Sequence, residues 1–142
     1  MILGIDHIGI ATDDPTGVGS FMTMLGLQKS GSGQARAYDV SCEFWRHPAA
    51  PEGPAVEIVA PLGEGSAISG RLSDNGPGLY HIAFEVHDLE GGLARLRGEG
   101  FVALDAAPCA GALEGMRVAF MFLRRPASLI IELVEYERGG SP

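Results

Sequence analysis

One short pattern is written twice in this chain, and it limits the folds available more than any other feature. Near the start it reads Gly4-Ile5-Asp6-His7-Ile8-Gly9-Ile10-Ala11, and in the middle Gly78-Leu79-Tyr80-His81-Ile82-Ala83-Phe84-Glu85-Val86. Both stretches alternate as β-strands, with His7 opposite to Ile8 and Ile10, and His81 opposite to Ile82, Phe84 and Val86. Each is followed by a helix start. Asp14-Pro15 opens a helix with Val18, Phe21, Met22 and Leu25 as its apolar stripe, and Asp88 caps one carrying Leu89, Leu93 and Leu96. The chain is therefore read as two copies of one unit, each with a histidine on its first strand.

The remaining elements follow the same order twice. In the first unit the helix over Pro15–Leu25 ends at Gly26. A short strand spans Leu27–Ser30, with a turn at Gly31-Ser32-Gly33. A third strand covers about Gln34–Arg46, a proline-rich loop runs from His47 to Pro54, and a fourth strand covers Ala55–Ala60. In the linking stretch, Ser66 is placed to cap a short helix carrying Ile68 and Leu72, and 73–78 is a turn cluster. The second unit has strand Leu79–Val86, helix Leu89–Gly98, short strand Phe101–Leu104, a loop over Asp105–Gly115, and strands Met116–Leu123 and Leu129–Glu135. Arg138–Pro142 is expected to be a disordered tail. Each half reads βαβββ. One such half leaves a sheet face uncovered, so the expectation is a single α+β domain. In it, two βαβββ repeats form a curved mixed sheet around a central cleft. Repeat one is about 1–61, the link 62–77, repeat two about 78–136 and the tail 137–142.

Two residues of each repeat break its apolar pattern at matching places. Glu57 interrupts Ala55-Val56-Glu57-Ile58-Val59, and Glu132 interrupts Leu129-Ile130-Ile131-Glu132-Leu133-Val134. Glu57 follows His7 by 50 residues and Glu132 follows His81 by 51. A carboxylate buried without a partner costs several kcal/mol. A divalent cation removes that cost, and two imidazoles with two carboxylates are an ordinary N/O ligand set. His7, Glu57, His81 and Glu132 are therefore the candidate metal ligands.

Other polar residues leave two readings each. Strand alternation aims Glu43, beside Phe44 and Trp45, either into the cleft or onto the outer face. Glu85 either lines the cleft on the face of His81 or is a strand-end surface charge. Arg117 is either an anion contact or a salt-bridge partner. His47 and His87 are expected at the surface. Cys42 and Cys109 sit in no metal-like spacing and read as reduced thiols. The formal net charge of −8 argues against nucleic acid, which needs basic stripes. No apolar run nears the roughly 18 residues of a membrane span. With no basic-then-apolar leader, a cytoplasmic protein is expected.

The doubled pattern with His7, Glu57, His81 and Glu132 resembles the vicinal oxygen chelate superfamily, which includes glyoxalase I, extradiol dioxygenases and antibiotic-resistance proteins. Within it the segments Ile5–Ala11, Val56–Leu62, Gly78–Val86, Arg117–Phe120 and Leu129–Glu135 look most like the methylmalonyl-CoA epimerases. That resemblance implies one divalent ion (Co, Zn, Mn or Ni) on those four residues. It also implies a small acyl thioester as substrate and a metal-dependent isomerase acting through an enolate. Glu132 would be one base, Glu43 is the nearest candidate for the second, and a homodimer is the family habit. The stretch Ser30–Pro54 departs from the family's pattern. The alternatives are another enzyme of the superfamily (a glyoxalase I-like lyase or a dioxygenase) or a metal-free protein that sequesters drugs or metabolites.

Overall fold

In a computed structural model, residues 1–137 are described; the expected tail at Arg138–Pro142 lies outside them. The first half contains strand β1 (Ile2–Ala11), helix α1 (Pro15–Met24) and strands β2 (Gln28–Ala35), β3 (Val40–Arg46) and β4 (Ala55–Pro61). Helix α2 (Ser69–Asn75) lies in the link. The second half contains β5 (Gly78–Val86), α3 (Leu89–Gly98), β6 (Val102–Ala103), β7 (Cys109–Ala110), β8 (Met116–Leu123) and β9 (Leu129–Tyr136). The two longer helices begin alike. Asp14 Oδ1 accepts the Gly17 N–H at 3.0 Å and Asp88 Oδ1 accepts the Gly91 N–H at 3.1 Å, each satisfying a donor that a helix start leaves free.

The strands join one curved sheet in the order β2-β3-β4-β1-β5-β9-β8-β6, with β7 paired to β8. Each half repeats one arrangement. Its first strand pairs in parallel with its last, β1 with β4 and β5 with β9, and antiparallel strands extend outward from there. The halves meet where β1 and β5 run antiparallel. This is the paired βαβββ sheet expected from the doubled pattern.

Alternation divides the buried side chains between two faces. On the concave face Ala11, Val40, Cys42, Phe44, Val59, Ala83, Val118 and Val134 form the largest core. On the convex face α1 covers Trp45 and Ile58 through Met22, and α3 covers Ile131, Leu133 and Met121 through Leu89 and Leu93. The face of β1 that carries His7 is thus the buried one, and Ile8 on its other side is 37% exposed.

Two elements depart from the sequence reading. Gly31-Ser32-Gly33 is not a turn: β2 runs on to Ala35 and the chain reverses at Arg36–Tyr38, with Asp39 in the left-handed region. The glycines serve close packing. A Cβ at Gly33 would overlap the Ala112 carbonyl, so its absence lets the edge of the first half meet the 105–115 loop of the second. The link helix begins at Ser69 rather than at a Ser66 cap. Ser66 instead accepts the Ile68 N–H at 3.4 Å, and Ile68 is buried in the concave core.

Gly33→Ala should cost about 1–3 kcal/mol through forced backbone displacement. Gly31→Ala, which meets only Leu113 at an ordinary 3.7 Å, should change stability little. Urea midpoints of the two variants test the contrast, and equal midpoints would show that the contact at Ala112 is not tight.

Candidate metal centre

Strand register places the four candidate ligands in two adjacent rows on the concave face. Across β4, β1 and β5, Glu57 faces Gly9, and Gly9 faces His81. Across β1, β5 and β9, His7 faces Ala83, and Ala83 faces Glu132. The middle position of each row is thus a residue with little or no side chain. A Cβ at Gly9 would overlap the His81 imidazole. Gly9 and Ala83 are the middle positions of the two rows, and the sequence reading does not single them out. The repeated spacing, histidine then a small residue two places on, is the signal that marks them.

The donor atoms converge. His7 Nε2 lies 3.1 Å from His81 Nε2, 2.8 Å from Glu132 Oε1 and 3.2 Å from Glu57 Oε1. His81 Nε2 lies 3.3 Å from Glu57 Oε1 and 3.4 Å from Glu132 Oε1. All four residues are at most 5% exposed. Donors about 2.0–2.1 Å from one ion stand about 2.9 Å apart at right angles and about 3.4 Å apart in a tetrahedron. The observed separations cover that range. Glu132 Oε1 is buried and makes no directed hydrogen bond despite its closeness to His7. The two imidazole nitrogens are within hydrogen-bond distance of each other, so the atom left without a partner is Glu132 Oε1. A divalent cation would give it one.

The electrostatics agree. Burial lowers the pKa of His7, but the carboxylates of Asp6, Glu132 and Glu57 outweigh it and lift it to about 12. His81 is raised too, its burial outweighed by Glu132 and Glu57. Burial raises Glu57, yet the two imidazoles hold it below the usual carboxylate range. Without a cation, protons must offset the two carboxylates; a divalent ion, if bound, would take their place.

The space before this cluster has a volume of about 30 Å³, room for roughly one or two water molecules. Its walls are mostly apolar, with Val40, Val59, Ile68, Met116, Val118 and Phe120 among them. Tyr38, Cys42 and Tyr80 are its other proton-bearing side chains. Neither Tyr38 nor Cys42 breaks a sequence pattern, so nothing in the sequence marks them as lining this cavity. The Tyr38 hydroxyl donates to Asp105 Oδ2 at 2.9 Å and accepts from Cys109 Sγ at 3.1 Å, tying the two halves together across the cleft. Burial, with Glu57 nearby, pushes the Cys42 thiol up, so it stays protonated; both cysteines are free.

Glu43 is not in the cleft, which corrects its assignment as second base. On β3 the inward residues are Val40, Cys42 and Phe44, and Glu43 shares the other face with Trp45. Its Oε1 accepts the Trp45 Nε1–H at 3.1 Å and lies 3.8 Å from Lys29 Nζ. Arg117 is a salt-bridge residue: it pairs with Glu90, and with Glu135 at 2.9 Å. Glu135 also accepts the Leu89 N–H at the start of α3. Glu85 lies outside the cleft, in a surface recess with Arg46 and Glu52. His47 and His87 are exposed.

The two halves bring two imidazoles and two carboxylates together in one buried cluster that could hold a metal ion. A model of the Glyoxalase/Bleomycin resistance protein/Dioxygenase superfamily matches residues 6–120, and the chain belongs to that superfamily. It is 27% identical over 135 residues to an ethylmalonyl-CoA/methylmalonyl-CoA epimerase of Cereibacter sphaeroides, covering 94% of this chain and 98% of that one. Among solved structures, the methylmalonyl-CoA epimerase of Mycobacterium tuberculosis superposes with a TM-score of 0.83 at 26% identity, over 96% of this chain and 90% of that one. A variant of the Streptomyces coelicolor methylmalonyl-CoA epimerase, in complex with 2-nitronate-propionyl-CoA, gives 0.84 at 28% identity, with both chains fully covered.

Gly9→Ala should displace the His81 ring and weaken metal binding at least about tenfold, the scale on which disturbed ligand orientation acts. Calorimetric titration with Co²⁺ checks this; unchanged affinity would mean that the ring has room to move. Glu43→Ala should leave turnover within about twofold, as expected of a residue that touches no reacting atom. A large loss of kcat would return Glu43 to the mechanism.

Proposed function

We propose that this chain is a divalent-metal-dependent isomerase that epimerises a small acyl thioester of the methylmalonyl-CoA class. The carrying observation is the convergence of His7, Glu57, His81 and Glu132 on one point, in a chain similar along its length to methylmalonyl-CoA epimerases. On this reading the chain is one catalytic unit, with halves at about 1–61 and 78–136. His7, Glu57, His81 and Glu132 hold the ion, of Co, Zn, Mn or Ni type. When bound, that ion supplies a Lewis acid that stabilises the enolate formed as the α-proton leaves.

The protein's own groups do the rest. Glu132, which joins the ligand cluster and also lines the cavity, is the base. The apolar walls exclude water, so charges at the floor of the cleft are weakly screened. The acyl group needs more room than 30 Å³, so the contacts of Tyr38 with Asp105 and Cys109 part as substrate enters. A second proton-transfer group comes from the cavity wall, where Tyr38, Cys42 and Tyr80 are available, and not from Glu43.

One observation favours a second reading. Among the described residues, Glu57 and Glu132 are the carboxylates that line the cavity, which suits an enzyme of the superfamily that needs a single base, such as a glyoxalase I-like lyase. A cytoplasmic location belongs to the main reading and is supported by two free cysteines. No helix among the described residues is long and apolar enough to cross a membrane. A homodimer also belongs to it, supported by exposed Ile2, Leu3 and Ile5 on β1.

Proton exchange in heavy water tests the proposal. Both epimers of methylmalonyl-CoA should exchange the α-proton and interconvert. Chelator treatment should abolish this, Co²⁺ should restore it, and Glu132→Gln should slow it by about 10²–10⁴-fold, the usual contribution of a positioned base. Exchange of one epimer without inversion would favour the single-base reading. A protein that takes up no metal and exchanges neither epimer would overturn both.

A further inference from the structure

The two histidines at the centre are supported unequally. Alternation would put Asp6 on the opposite side of β1 from His7. The β1–β5 register, however, steps from Ile5 opposite Phe84 directly to His7 opposite Ala83. Asp6 is the extra residue of a β-bulge, and a bulge re-aims a side chain. Its carboxylate thereby reaches His7, with Oδ2 accepting the Nδ1–H at 2.6 Å. The hydroxyl of Tyr136, from the far end of β9, donates to the same carboxylate at 2.9 and 3.0 Å. Asp6 is therefore held from the second half while it holds a ligand of the first.

The matching site in the second half lacks this support. The register there steps from Gly9 opposite His81 to Ile10 opposite Leu79, so Tyr80 is the bulged residue before His81. Tyr80 packs edge-on against the His81 ring, with centroids 4.7 Å apart, and offers no acceptor to Nδ1. His81 Nδ1 is buried without a hydrogen-bond partner. The bulge occurs twice, but only one copy delivers a carboxylate.

We propose that Asp6 and Tyr136 are positioning residues for the metal centre, fixing His7 with Nδ1–H toward Asp6 and Nε2 toward the ion, so that His7 is the anchoring imidazole. This rests on the reading of the centre as a cation site. A carboxylate behind an imidazole sets its tautomer and strengthens its donor nitrogen. His81, with ring packing but no acceptor behind its Nδ1, is the weaker partner.

The experiment is Co²⁺ titration of the metal-stripped protein by calorimetry and visible absorption, with thermal unfolding of each metal-free variant alongside. Asp6→Asn should weaken Co²⁺ binding about 10–100-fold and Tyr136→Phe by a smaller factor. Nitrogen-15 spectra should show the His7 tautomer becoming mixed in Asp6→Asn. Wild-type affinity in both variants, with the tautomer unchanged, would overturn the proposal. If Asp6→Asn does not fold, Tyr136→Phe decides by the same measurements. A wild-type protein that binds no Co²⁺ would instead remove the cation site itself, and this inference with it.

Discussion

Everything at the centre depends on how β1 and β5 are set against each other. The antiparallel register puts His7 beside Ala83 and His81 beside Gly9, so each imidazole lies over a position with little or no side chain. The parallel strands β4 and β9 then bring Glu57 and Glu132 to the same two rows. A slip of one residue in either strand would turn its histidine onto the convex face and put Ile8 or Ile82 in its place. Neither half has a site alone, because each contributes one imidazole, one carboxylate and the gap that the other's imidazole needs.

The cluster also lies within the largest core. Two carboxylates and two imidazoles buried among Phe44, Val59, Val118 and Val134 oppose folding unless compensated. With no cation the compensation is protons, which is why both histidines are raised and Glu57 is lowered. A metal ion that binds only the folded chain adds its binding energy to stability. On the proposed reading, an ion bound at this cluster would relieve the cost of burying it.

Much of this was legible in the sequence for one reason: polar residues stood out where the pattern demanded apolar ones. Glu57 and Glu132 interrupt apolar strands, and the histidines recur in a doubled phrase, so the paired fold and the four positions followed. Glu43 was not legible. Cys42, Phe44 and Trp45 surround it with apolar residues of both parities, so alternation could not say which face it took. The hairpin was misplaced because Gly31 and Gly33 carry the usual signature of a turn. Their actual role, close packing against Ala112 and Leu113, depends on a loop about 80 residues away. Asp6 was hidden by a bulge, and a bulge leaves no mark in a single sequence.

The pseudo-symmetry explains where the halves are free to differ. The four converging positions are matched, because four donors around one point leave little latitude. Positions one step behind are not: Asp6 answers to Tyr80, one a hydrogen-bond acceptor and the other a ring in the cavity wall. That difference gives the centre two sides. On the His7 side a carboxylate and Tyr136 fix the imidazole. On the His81 side aromatic rings, Tyr80 at 4.7 Å and Phe120 at 5.0 Å, border the cavity directly. Phe120 in turn meets Tyr38, the residue whose hydroxyl closes the cleft toward Asp105. A group entering the cleft would thus press on the rings that hold His81, while His7 is held from behind by Asp6. A rigid anchor on one side and a yielding wall on the other is what the proposed function would need, with an ion held in place while the bound molecule changes shape.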